Sequence, residues 1–185
     1  AYYNVDASNI RNQSDVGGGG LLDIGCYCIS SSRWICDREP ERVIGLFDKD
    51  PSFGTDRLAS GILDFGNGLQ ASFTCSTQVA PYQRINILGT HGRVEIDIPF
   101  NAPPDRPCRV SLYPGTHSDQ GRFEPAESQV LDMDICDQYT LQGEAISLAI
   151  LNDEPVPYGL DDAVGNMRTL EALRQSNESS AWIVP

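Results

Sequence analysis

GGGGLLDIGCYC, residues 17–28, is the stretch on which the fold turns. Four consecutive glycines run straight into an apolar, helix-compatible segment that carries one carboxylate, Asp23, and one phenol, Tyr27. Glycine-rich turns at helix starts offer backbone N–H groups to anions, so a cradled phosphate is the first reading to test. The residues argue against it. Gly20 and Gly25 have the glycine spacing of a P-loop, but Cys26 and Tyr27 stand where Lys and Ser or Thr are needed. No choice among residues 17–20 gives G-x-G-x-x-G, the preceding NIRNQSDV is too polar for a buried parallel strand, and Asp23 would repel phosphate.

Outward from the glycines, Leu21, Leu22, Ile24, Ile29 and Trp34 predict a largely buried helix from Gly20 to about Cys36, stopped before Pro40. The hydrophobic period then changes to two. ERVIGLFDKD, LASGILDFGNGLQASFTCS, YQRINILGTHGRVEIDI, CRVSLYPG and SQVLDMD are short apolar or alternating runs divided by turn residues. Residues 65–69 (FGNGL) and 89–92 (GTHG) supply hairpin turns that tolerate positive φ, which predicts antiparallel pairing. Helical spacing returns at Tyr139, Gln142, Ala145, Ile146, Ala149 and Ile150, and again at Leu160, Ala163, Val164, Met167, Leu170 and Leu173. Helix, antiparallel strands, then two helices make an α+β pattern in which one sheet face needs outside cover, such as a partner subunit.

The 185 residues are 40% hydrophobic, the size and composition of one domain. A net charge of -13 and a pI near 4.3 argue against nucleic acid or an anionic membrane as partner. No apolar run approaches the ~20 residues of a membrane span, and the polar opening AYYNVDASN lacks a signal peptide's features. A chain opening at Ala1 in such sequence is expected to be a fragment. The six cysteines are scattered through apolar segments of a chain too long to need disulfides, so free and mostly buried thiols are expected. His91 and His117 lie in separate turns, and no metal-ligand spacing is present.

Asp23 and Tyr27 are four apart, which places them on one helix face a turn from each other. A carboxylate beside a phenol suits polyol chemistry, the first accepting hydrogen bonds from hydroxyls and the second relaying a proton. The same pair also fits a dipole-complementing Asp and a core aromatic. Arg11, just before the glycines, could steer an anionic group to the helix start or serve as an ordinary surface ion pair. Trp34 and Trp182 are expected to pack.

GGGGLLDIGCYCISSSRWI resembles the G-G-G-x-L-x-D-x-G-x-[HY] signature that opens the second domain of the Gfo/Idh/MocA oxidoreductases. ILGTHGRVEIDIPFNAP is similar to that family's G-T-x-G hairpin and following loop, and the segment from PVPYGLDD to the end is similar to its terminal helix and tail. The resemblance implies an α+β domain with a large, mainly antiparallel open sheet, helices on one face, and the other face used for a homodimer or tetramer. It implies that residues 1–185 are a single C-terminal substrate-binding and oligomerisation domain, and that an N-terminal Rossmann domain binding NAD or NADP lies outside the chain. Asp23 then matches the substrate-binding aspartate and Tyr27 the catalytic position, filled by Tyr in the branch of glucose–fructose oxidoreductase and dimeric dihydrodiol dehydrogenase. Arg11 joins them as a substrate-binding candidate. The implied activity is NAD(P)-dependent oxidation of a sugar, polyol or related hydroxy compound by the full-length, cytoplasmic protein. The chain itself holds neither the family's G-x-G-x-x-G nor its Glu-Lys-Pro and is expected to be inactive alone. A non-catalytic sensor or scaffold of the same fold is the alternative.

Overall fold

A computed structural model describes all residues, 1–185, and their contacts fall into two compact units. The first comprises Ala1–Tyr82 and Tyr158–Pro185. Its sheet is β1 (Arg42–Lys49), β2 (Asp56–Asp64) and β3 (Gln70–Ser76), antiparallel and in that order. The β2–β3 turn is the expected one, with Gly66, Asn67 and Gly68 all at positive φ (78°, 53° and 80°). Helices α1 (Cys26–Cys36) and α3 (Leu160–Ser179) belong to the same unit. The core joins Leu21 and Ile29 to Val43, Ala59, Leu63, Phe65 and Cys75 of the sheet region and to Leu170, Ala172 and Leu173 of α3. Each fully buried large apolar side chain there contributes roughly 1.5–3 kcal/mol.

Alternation along the strands sends Leu46, Leu58 and Ile62 to an exposed face, so this sheet is covered on one side and open on the other. The free edge of β1 is blunted from within. Its amides at Val43, Gly45 and Phe47 donate to Ile183 O (2.8 Å), Ser176 Oγ (3.0 Å) and Asn177 Oδ1 (2.8 Å).

The second unit, Gln83–Pro157, is built around β6 (Cys108–His117). On β6 pair β5 (Gly92–Ile96), β7 (Phe123–Pro125) and β8 (Gln129–Met133), with β4 (Ile85–Gly89) outside β5. All pairs are antiparallel, and β4–β5 is the hairpin predicted at residues 89–92. The α+β class with antiparallel pairing is as expected, while hydrogen bonding divides the strands into two sheets instead of one. Helix α2 (Gln138–Asn152) is capped by Asp137, whose Oδ1 accepts Tyr139 N at 3.0 Å, but only its Ala149 is buried. Leu141, Ile146, Leu148, Ile150 and Leu151 form a helix of the predicted period with its apolar side exposed.

Candidate active site

The glycine turn does hold an anion, and the anion is the chain's own. Asp56, at the start of β2, accepts the Leu21 N–H on Oδ2 at 2.6 Å, and the Gly20 amide bonds it as well. Burial pushes the Asp56 carboxyl up, against the pull of the Leu21, Asp56 and Gly20 amides and of Arg174. Two glycines are required by this arrangement. Gly19 has φ 124°, and a Cβ there would collide with Asp56 Oδ1. A Cβ on Gly18 would sit 2.6 Å from the Arg11 carbonyl and 2.7 Å from that of Gln13. Both carbonyls accept from the turn, Gln13 O from Gly18 N and Arg11 O from Gly19 N, each at 2.9 Å.

The helix expected from Gly20 onward is not uniform. Leu21–Gly25 form one π-helical turn, in which Cys26 N reaches back five residues to Leu21 O, and only then does α1 begin. Single π turns of this kind are frequent at functional sites. Here the turn lies between two fixed points, the Asp56 bond at Leu21 and the close seat of Gly25 against Leu21 Cδ1 and Cys75 Sγ.

Asp23 projects from this turn. Its Oδ1 pairs with Arg11 Nε at 2.8 Å, and its Oδ2 accepts the Tyr2 hydroxyl at 2.6 Å. The Asp23 side chain retains 21% exposure and that of Arg11 45%. Arg11 sits in a short 3-10 turn, Ile10–Asn12, whose cap Asn9 accepts the Arg11 N–H, while buried Asn12 ties the loop to Asp6 O at 2.9 Å. Tyr2 comes from an extended N-terminal segment laid beside the end of β3, with Tyr2 N on Ser76 O (3.0 Å) and Val79 N on Tyr2 O (3.3 Å). Burial, and then the Asp23 bond, push the Tyr2 phenol above its ordinary range. Tyr27, the second residue of α1, is half exposed and within electrostatic reach of Arg11, whose own pKa is raised by Asp23.

Further along α1 the helix is fastened to α3. Arg33, nearly buried, pairs with Glu39 at 2.5 Å and Asp162 at 3.1 Å, and Asn166 Nδ2 donates to Cys26 O at 3.3 Å. The structure therefore gathers Arg11, Asp23 and Tyr27, the three residues singled out from sequence, at the start of one anchored helix. It adds Tyr2 and Asp56, which no motif marks, because partners 21 and 35 residues away in sequence reach the turn only once the sheet has formed.

With the site in view, a family profile described as the GFO/IDH/MocA C-terminal domain matches residues 1–95. The chain belongs to the GFO/IDH/MocA family. An uncharacterized oxidoreductase of Rhizobium meliloti is 38% identical over 179 residues, 97% of this chain and 52% of that protein. The D-xylose 1-dehydrogenase (NADP(+)) 2 of Haloferax volcanii is 28% identical over 182 residues, 96% of this chain and 51% of its own. The crystal structure of the aldose-aldose oxidoreductase from Caulobacter crescentus, complexed with glycerol, superposes with a TM-score of 0.78 at 24% identity, covering 100% of this chain and 53% of that one. This GFO/IDH/MocA chain thus spans about half the length of the curated relatives it matches.

Residues expected elsewhere are placed as follows. Trp34 does not pack in the core and is 66% exposed, whereas Trp182 lies under the Arg42 guanidinium, 4.7 Å from its ring centroid. All six cysteines are free, but only Cys75 is fully buried. His91 and His117, assigned to separate turns from sequence, meet edge to face with centroids 5.5 Å apart, because β5 and β6 pair. No group of three or more His, Cys, Asp or Glu is placed to hold a metal ion, and no helix is long and apolar enough to cross a membrane.

Proposed function

We propose that this chain is the substrate-binding and oligomerisation half of an NAD(P)-dependent oxidoreductase acting on the CH–OH group of a sugar, polyol or related hydroxy compound. The observation that carries the reading is Asp23, held by Arg11 and Tyr2 with Tyr27 beside them at the start of α1. Asp23 accepts hydrogen bonds from substrate hydroxyls and orients the ring or chain. Tyr27, within electrostatic reach of Arg11, exchanges the proton of the reacting hydroxyl.

The glycine turn does not fit a dinucleotide phosphate, since Asp56 fills it with negative charge. The nicotinamide dinucleotide therefore belongs to an N-terminal nucleotide-binding domain outside these residues, and the chain alone is inactive. Relatives twice as long support that division, and the D-xylose dehydrogenase and aldose-aldose oxidoreductase among them support the substrate class. A homodimer or tetramer formed through an open sheet face, in the cytoplasm, completes the reading. Tyr27→Phe in the full-length protein is expected to lower kcat about a hundredfold or more, the usual cost of losing a general acid/base group. Unchanged turnover in steady-state assays would remove Tyr27 from the chemistry and this reading with it.

A further inference from the structure

The chain has two histidines, and strand pairing in the second unit brings them side by side. His91 lies in the turn between β4 and β5, and His117 ends β6. Their ring centroids are 5.5 Å apart with the planes at 86°, and the Phe123 ring of β7 lies on His117 with its centroid at 5.9 Å. Backbone links hold this spacing. β5 pairs with β6 as far as Gly92 and Pro114, Gly115 N donates to His91 O at 2.9 Å, and His117 is in register with Phe123. Both histidines are exposed, so their ring nitrogens are open to solvent and its ions.

An imidazole that ligates a metal offers one nitrogen lone pair while its other N–H is held by an acceptor that fixes the tautomer. His91 has that holder. Thr90 Oγ1 lies 3.0 Å from its Nδ1, and with Nδ1–H donating there, Nε2 carries the lone pair. His117 is held by ring contacts alone, and neither of its nitrogens has a hydrogen-bond partner in the chain. Two imidazoles on one tetrahedral ion, with metal–nitrogen bonds of about 2.0–2.1 Å, have centroids about 5 Å apart. The observed separation is close to that, and rotation about the torsions of two exposed side chains aims the nitrogens without moving the backbone. The net charge of -13 draws cations to the chain. No third His, Cys, Asp or Glu completes a cluster with the pair, so water fills the other positions. Two nitrogen ligands favour Zn²⁺, Ni²⁺ or Cu²⁺ over Mg²⁺ and Ca²⁺, which take oxygen. We propose that His91 and His117 form a two-histidine site for one divalent transition-metal ion, which clasps the β4–β5 turn to the end of β6. Thr90 is a positioning residue in this site, acting through His91.

The probe is Ni²⁺ alone, titrated into the full-length protein and followed by calorimetry and by the paramagnetic broadening of imidazole proton signals. His91→Gln and His117→Gln assign those signals. Both rings should broaden along one saturation curve, and Mg²⁺ at the same concentrations should leave them unchanged. Either variant should weaken this binding at least about tenfold, since the second imidazole acts at a high effective concentration once the first has bound. Thr90→Val, which keeps the β-branched shape and removes the acceptor, should weaken it about tenfold, as loss of a group that orients a metal ligand does. The variants keep all six free cysteines, so an ion held by thiols would bind them as tightly as wild type. Equal affinity in wild type and both histidine variants would therefore overturn the site, as would broadening of one ring without the other. Equal affinity in Thr90→Val would overturn the positioning role of Thr90. None of these measurements depends on turnover, so the site stands or falls apart from the function proposed above.

Discussion

Two carboxylates flank the first turn of the same helix and have opposite surroundings. Asp56 faces inward, is satisfied by backbone amides, and is pushed toward its neutral form by burial. Asp23 faces outward, is satisfied by the side chains of Tyr2 and Arg11, and keeps open acceptor directions. The amides that an external anion would have used are occupied by Asp56, and the carboxylate left partly exposed is the one to which the proposed function gives the substrate hydroxyls. On the proposed reading, a glycine-rich helix start becomes a hydroxyl site when a neighbouring strand supplies the carboxylate that occupies its amides.

The contrast is sharpest in variants that separate activity from stability. Asp23→Ala in the full-length protein removes the proposed acceptor for substrate hydroxyls and is expected to lower kcat/KM about a hundredfold or more, at about 1.5–3 kcal/mol per charged hydrogen bond. Its effect on the unfolding free energy should be about 1–2 kcal/mol, most of it from the part-buried Tyr2 hydroxyl left without its acceptor, since the Arg11 pair is partly exposed and adds little. A loss of activity that merely tracked a loss of fold, followed by thermal denaturation, would erase the distinction between the two carboxylates.

Gly19→Ala works on the other side. Its φ of 124° is strained for any L side chain, and the new methyl would strike Asp56 Oδ1. Destabilisation of about 2–3 kcal/mol is expected from strain and displacement together. Urea unfolding measures it, and a change below about 0.5 kcal/mol, the ordinary range for an exposed substitution, would mean that the turn does not depend on Asp56.

What sequence made legible follows the range of the forces involved. The Gly66–Asn67–Gly68 turn, the strand alternation and the periods of α2 and α3 are local, and each formed where its residues indicated. Asp23 and Tyr27 were legible as a motif within one short segment, and Arg11 only by its position just before the glycines. The π turn was not, since LLDIG carries nothing that distinguishes it from an α-helical turn until Asp56 fixes Leu21 and Cys75 seats Gly25. Tyr2 was invisible for the same reason, its role depending on an extended segment laid against the end of β3. The exposed sides of Trp34 and α2 mark the limit of composition, which shows that a residue is apolar but not what covers it.

The subtlest expected effect is a slope in pH. A carboxyl whose folded pKa is raised binds its proton more tightly when folded, so it contributes stability below the ordinary carboxylate pKa and loses it as pH rises through the folded value. Asp56 is such a group, burial outweighing the Leu21 and Gly20 amides and the Arg174 cation, with the Cys75 thiol within its electrostatic reach. Asp64 and Glu39 run the other way. Backbone and arginine bonds hold their carboxyls low, and the stability they confer is lost on acidification. Asp56→Asn retains an acceptor for Leu21 N–H and removes the titration, so its stability relative to wild type should increase between pH 4 and pH 7 in paired urea melts. A constant difference would mean that Asp56 does not change protonation on unfolding. A difference of opposite sign would mean that the amides at the glycine turn favour the Asp56 carboxylate more strongly than burial opposes it.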